Sequence, residues 1–331
     1  MYLMRSIKKN TFEFVRKDSK KIIDHVKDFL EYLDVEKGLS LKTQQTYYQL
    51  LKKFIFWLKE NKLENILPHE LTEQHIKKYR HFLSQNFNKA TKTPLKKSTQ
   101  NCYLIALRNF LNYFAEQGII SLPAEKIKLI KQKERTIRFL DLEKIEKLLC
   151  APNTNTIVGL RDRAILETFF STGLRISEIV SLNKEQFLNI RDDEESLEIA
   201  IVGKGGVPRT VYFSKRALFW IKKYLEKRKD KEKALFINYK GPKHKIGKRI
   251  TCRAIQNLVK KYAILSGLPI TTTPHVLRHS FATDLLSKGV DTRIVQEFLG
   301  HKNISTTQIY THITKPKLRE IHKKFHGFKK S

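Results

Sequence analysis

The sequence predicts a mainly α-helical protein carrying one small β-hairpin and divided into two domains. Apolar residues recur at spacings of three and four along most of the chain, the pattern of helices that each bury one face. Clear apolar–polar alternation is concentrated in two short segments that flank a Gly-rich turn. At 331 residues, with about 150 residues per domain as a guide, the chain is long enough for two cores. Its 40% hydrophobic content supports folded domains and argues against a solvated basic tail.

From the N-terminus, Ile22, Ile23, Val26, Phe29, Leu30 and Leu33 mark a first helix, and Tyr47, Leu50, Leu51, Phe54, Ile55 and Leu58 a second. Ser40, followed by Lys42, Thr43 and Thr46, is placed to cap the start of the second. Further helical patterns run at about residues 72–86 and 98–117 and end near Gly118, so residues 1–118 are expected to form a domain of four or five helices. Residues 119–138 follow as a basic linker. Within it PAEKIKLIKQKERTIR, residues 123–138, holds few large apolar residues at helical spacing and could lie along a phosphate backbone. Helical patterns resume at Leu140, with Asp141 as cap, and again over residues 160–172. Residues 197–202 and 209–213 alternate around GKGGVP, predicting a hairpin with Lys204 at its tip. One more short strand is expected at ALFIN, residues 234–238, before the basic loop YKGPKHKIGKR and a return to helices. Residues 139–331 thus make a second domain of mixed α and β structure.

The 65 Lys and Arg against 33 Asp and Glu leave a formal charge of +32, which calls for an anionic partner, and nucleic acids are the abundant intracellular polyanions. Residues 1–136 hold 27 of the basic and 14 of the acidic residues, so both halves are candidates for contact with a charged backbone. On composition alone, a ribosome-associated or merely solubilising charge stays open. No run approaches the ~18 apolar residues of a membrane span, and MYLMRSIKKN is charged where a signal peptide is apolar, so a soluble intracellular protein is expected. Cys102, Cys150 and Cys252 are odd in number and lack C-x-x-C spacing. They argue against a zinc site or a disulfide framework and read as small buried hydrophobes.

Four segments hold residues suited to phosphoryl-transfer chemistry. In FFSTGLRISEIVSL, Gly173 closes one helix and Arg175 opens the next, where a guanidinium fork and exposed backbone N–H groups could meet a phosphate; pairing of Arg175 with Glu178 is the plainer alternative. In TTTPHVLRHSFATDLL, Thr273 and Pro274 start a helix that aims His275, Arg278 and His279 from one side while Leu277 and Phe281 face the other. Two His in one turn invite a metal, but H-V-L-R-H lacks the Glu of the zinc-protease pattern and no carboxylate cluster is evident nearby, so no metal and no cofactor are expected. In FLGHKNISTTQIYTHI, Gly300 closes a helix, Ser305 and Gln308 form a capping box, and Tyr310 lies nine residues after His301. The fourth segment is the hairpin tip, where Gly203 and Gly205 flank Lys204, a turn that is by itself most often a solvated one.

Taken in order, Arg175 in TGLRISEI, Lys204 in VGKGG, His275 and Arg278 in HVLRHSFAT, His301 in LGHKNISTTQIY and Tyr310 resemble the tyrosine recombinase (integrase) family. The resemblance implies an all-helical, SAM-like core-binding domain and an α+β catalytic domain that form a C-shaped clamp on double-stranded DNA. Size and layout look most like the Xer recombinases, which resolve chromosome dimers. One departure is that Val207 and Pro208 precede Arg209 where relatives often carry a second Lys, leaving Lys204 as the candidate family lysine. Lys42, Thr43, Lys128, Arg209 and Lys243 are the expected DNA contacts.

By this resemblance Arg175 and Arg278 would clamp the non-bridging phosphate oxygens. Tyr310 would attack to form a 3′-phosphotyrosyl link, and Lys204 would protonate the leaving 5′-oxygen. His275 would help manage the tyrosine proton, His301 would donate to the phosphate, and Glu178 would support Arg175. Strand exchange would pass through a four-way junction in a homotetramer on two dif-like sites, or in a tetramer shared with a paralogue. Residues 315–331 would pass between neighbours, and a septal DNA translocase of the FtsK type would activate the enzyme at the nucleoid, in the cytoplasm. Three alternatives remain: a phage or transposon integrase, a type IB topoisomerase, and a non-enzymatic DNA-binding protein.

Overall fold

A computed structural model of the chain describes residues 3–5, 13–87, 93–132, 139–191, 193–203 and 208–300. The chain divides into two units, Met1–Arg135 and Thr136–Ser331. In the first, the strands β1, Leu3–Arg5, and β2, Glu13–Val15, pair antiparallel. Four helices follow: α1, His25–Val35; α2, Leu41–Glu60; α3, Glu73–Gln85; and α4, Lys97–Glu116. The apolar spacing in the sequence is the spacing of the buried face. Leu51, Phe54 and Leu58 of α2 and Leu104, Leu107, Leu111 and Phe114 of α4 meet in one core with Phe29 of α1 and Tyr79 of α3.

Helix ends in this unit follow local chemistry. Thr72 accepts the backbone N–H of His75 to cap α3. Past the end of α4, Gly118 takes φ 64°, its N–H reaches the Ala115 carbonyl, and the Ile119 N–H bonds the Phe114 carbonyl at 2.8 Å, a Schellman closure. Ser40 occupies the N-cap of α2, but its hydroxyl lies 3.0 Å from the Thr43 hydroxyl and bonds no backbone N–H, so the expected cap is positional only. The chain after Gly118 stays on this unit through Ile130: Ile119, Ala124 and Ile127 are buried, and the Asn101 side chain both donates to and accepts from the Ile130 backbone at 2.9 Å.

The second unit comprises α5, Leu142–Cys150; α6, Ile157–Thr172; α7, Ile176–Ser181; β3, Ser196–Val202; β4, Pro208–Ser214; α8, Lys215–Lys227; α9, Cys252–Leu265; α10, Pro274–Ser287; and α11, Thr292–Leu299. Helix α6 runs through the core and is buried almost all round, so its charges are paired. The Arg161 guanidinium holds Asp162, which also accepts from the Tyr262 hydroxyl, while Glu167 accepts from both Arg163 and Arg216. The hairpin is in register Ile199↔Val211 and Val202↔Pro208, with Ile199, Ile201, Val211 and Phe213 on its buried face. Pro208, which cannot donate to a ladder, sits at the first position of its strand.

Two expectations are corrected. Residues 234–238 are not a strand: the run is buried, but it makes only isolated bridges, Asn183↔Ala234 and Ile237↔Arg249, and scattered backbone bonds such as Leu235 N–H to the Leu182 carbonyl. Its apolar residues fill the core as an irregular extended segment without a continuous partner strand. Cys102 and Cys150 are exposed instead of buried, because each lies on the outward face of its helix, and Cys252 is half-buried.

Candidate active site

The turn that carries Arg175 requires glycine at 173 on two grounds. Gly173 ends α6 at φ 59°, and a Cβ there would stand 2.4 Å from the ring of Phe281 on α10. The chain then turns through buried Leu174 and places Arg175 at the N-cap of α7. The Arg175 side chain is 25% exposed. Its Nη1 donates to Glu178 Oε1 at 3.1 Å and its Nη2 to the Gly300 carbonyl at 3.0 Å. Its backbone N–H, which the sequence offered to a phosphate, donates to Glu178 Oε2 at 2.7 Å. The plainer expectation, pairing of Arg175 with Glu178, is what the turn shows, and the second nitrogen of the fork goes to the end of α11.

Arg278 reaches the same place from α10. It is 6% exposed, and its Nη1 and Nη2 donate to the Gly173 carbonyl at 2.6 Å and the Leu299 carbonyl at 2.5 Å. Gly300, at φ 62°, closes α11 beside them. Carbonyls at helix C-termini lack intrahelical donors and carry partial negative charge, so two guanidinium groups are drawn to the ends of α6 and α11. The result is a paired-arginine cluster immediately before His301 in the chain. His275 lies exposed in the first turn of α10, and His279, half-buried one turn on, is held below the usual histidine range by burial and then by the charges of His275 and Arg278. Among the described residues, no three His, Cys, Asp or Glu side chains gather where they could hold a metal ion.

Glu178 is the hub beneath the cluster. Its carboxylate is 5% exposed and accepts four bonds: the Arg175 N–H, Arg175 Nη1, and both Nη atoms of Arg209 at 2.9 and 2.8 Å. Burial pushes its pKa up, but the Arg209 fork, the backbone donor and the two arginine charges outweigh that and leave it below the ordinary glutamate value. Arg209, expected among the DNA contacts, is engaged with Glu178 in this structure. Its side chain is 11% exposed and its guanidinium is turned inward onto Glu178. The signal was present in the alternation, since period two puts Arg209 on the same face as buried Val211 and Phe213.

Of the other expected DNA contacts, Lys42, Thr43 and Lys128 belong to the first unit and Lys243 to the second. Lys42 is exposed and Thr43 half-buried in the first turn of α2, Lys128 is exposed after a 3-10 turn, and Lys243 opens the 3-10 turn Lys243–Lys245. Lys204, His301 and Tyr310 lie outside the described residues, as do Ser305, Gln308 and residues 315–331.

A model of the phage integrase family matches residues 138–317, and a model of the phage integrase N-terminal SAM-like domain matches residues 26–118. The sequence is 36% identical over 311 residues to tyrosine recombinase XerD of Lacticaseibacillus casei, covering 91% of this chain and 98% of that protein. It is 37% identical over 310 residues to tyrosine recombinase XerC of Natranaerobius thermophilus, covering 90% and 97%. The fold is similar to the crystal structure of XerH site-specific recombinase bound to palindromic difH substrate, with a TM-score of 0.68 at 24% identity and coverage of 95% of this chain and 92% of that one.

Proposed function

Since this chain belongs to the phage integrase family of tyrosine recombinases, enzymes that cleave and rejoin DNA strands, we propose that it recombines DNA at a dif-like site and so resolves chromosome dimers. The observation that carries the reading is the convergence of Arg175 and Arg278 at the end of α11, directly before His301 and ten residues before Tyr310.

A DNA phosphodiester resists attack because its charge repels a nucleophile and its alkoxide leaves poorly. Arg175 and Arg278 present planar forks that suit the non-bridging oxygens, and they gain most where charge builds up in the pentacoordinate transition state. The Tyr310 oxygen attacks phosphorus as the bond to the 5′-oxygen breaks. The tyrosine proton passes toward His275, Lys204 gives a proton to the departing 5′-oxygen, and His301 donates to the phosphate. One phosphodiester replaces another, so bond energy is conserved in the 3′-phosphotyrosyl link. A 5′-hydroxyl from the partner duplex reverses the step and yields a Holliday junction.

Two sites cut one strand pair at a time call for four protomers, all of this chain or shared with a paralogue. Residues 315–331 connect neighbours in this arrangement, and a septal translocase of the FtsK type activates it at the cytoplasmic nucleoid. Lys42, Thr43, Lys128 and Lys243 serve the phosphate backbone.

The test is covalent capture on DNA carrying a candidate site nicked near the scissile phosphate, followed by denaturation in SDS. An adduct that forms in EDTA, ends in a 3′-phosphate and disappears in Tyr310→Phe is the expected result. DNA that is bound but never joined to the wild-type protein would refute the transesterase reading.

A further inference from the structure

We propose that Arg209 is a positioning residue for Arg175, acting through Glu178. The inference rests on the recombinase reading above and names a residue that the chemistry of that reading does not use. Arg209 grips Glu178 with both Nη atoms, at 2.9 Å to Oε1 and 2.8 Å to Oε2, and Arg175 is left one side-chain contact with the same carboxylate, at 3.1 Å. A carboxylate and a guanidinium left alone pair fork to fork. Without Arg209, Glu178 would be free to take both nitrogens of Arg175 and draw its Nη2 away from the Gly300 carbonyl at the end of α11. With Arg209 present, the carboxylate is already occupied on both oxygens, and Arg175 gives it one side-chain nitrogen while its Nη2 stays on the Gly300 carbonyl.

Two further observations place Arg209 at a junction. The Arg209 stem lies against the closing turn of α11, where a Cβ on Gly300 would come within 2.8 Å of Arg209 Cδ and 3.0 Å of Nε and Nη1. It is also the second residue of the return strand of the hairpin, in register with Ile201 and five residues after Lys204 in the sequence. One half-buried side chain on β4 therefore reaches the α7 start through Glu178 and lies beside Gly300, the residue before His301 in the sequence.

The experiment measures single-turnover adduct formation at saturating nicked-site DNA, DNA affinity by mobility shift, and thermal unfolding. It uses wild type, Tyr310→Phe, Arg209→Ala, Arg209→Lys, Glu178→Gln and the Arg209→Ala/Glu178→Gln double variant. Because a misplacement of about 1 Å can cost about 100-fold in rate, Arg209→Ala is expected to slow cleavage by about 10- to 100-fold while affinity stays within about twofold. Arg209→Lys, which keeps the charge without the fork, should fall between it and wild type, and it replaces Arg209→Ala if that variant does not fold. The double variant should be no slower than the slower single, because both act on one geometry. A saturated rate equal to wild type, a loss confined to affinity, or multiplicative slowing in the double variant would each overturn the inference. If wild type forms an adduct that Tyr310→Phe lacks, such a failure belongs to Arg209 alone. If wild type forms none, the recombinase reading falls and takes this inference with it.

Discussion

Glu178 shows how one residue couples stability to the chemistry of its neighbours. A buried carboxylate is costly unless its lone pairs are filled, and here two arginines and a backbone N–H fill them. Its folded pKa is below the ordinary 4.5, so the folded state binds this proton less readily than the unfolded chain does. The stabilisation is therefore complete above the unfolded value and is lost as pH falls through the folded one. Urea unfolding of wild type and Glu178→Gln from pH 7 to pH 3 should show a stability gap that is widest at neutral pH and narrows below about 4.5. A gap that stays constant would mean that Glu178 does not change protonation differently on folding. Arg175 and Arg278 were legible as candidates because their positions depend on local signals, a glycine closing a helix and a Thr-Pro pair opening one. The pairing of Glu178 with Arg209 spans 31 residues and joins a helix to a strand, and no local pattern states that contact, although the alternation of β4 already turned Arg209 inward.

Among elements, those read well from sequence have a core face that repeats over several turns. Helix α2 is one: Phe54 and Leu58 lie four apart on its inner face, with Phe54 stacked on Trp57 at 5.8 Å and edge-on to Tyr79 of α3 at 5.0 Å. Truncating such a ring leaves a cavity that rigid neighbours cannot close, so Phe54→Ala should destabilise the helical unit by about 3–5 kcal/mol. Denaturant unfolding followed by tryptophan fluorescence would measure it, and a loss under about 1 kcal/mol would mean that α2 and α3 collapse into the space. The expected strand at 234–238 misled for the complementary reason. A short apolar run reports burial, not a partner, and Ala234 through Ile237 are buried without a ladder. The hairpin β3–β4 was readable because alternation and a Gly-rich turn state both burial and pairing.

For the whole molecule the dominant quantity is charge, a net +13 over residues 1–136 and +19 over the remainder. If both units meet the same polyanion, affinity should be set largely by counterion release and fall steeply with salt. Each lysine that neutralises one phosphate contributes about one to the slope of log K against log salt, whatever the base sequence. Lys42 at the start of α2 and Lys243 in its basic loop sample the two units separately. Lys42→Ala and Lys243→Ala are each expected to lower the magnitude of that slope by about one, equally on specific and unrelated duplexes. The double variant should lower it by about two, since contacts without a shared partner add in log K. Mobility-shift titrations across a salt series would read all three slopes. If Lys243→Ala changes the slope and Lys42→Ala does not, the start of α2 does not meet the phosphate backbone, and the charge of the helical unit acts through other residues or through solubility alone.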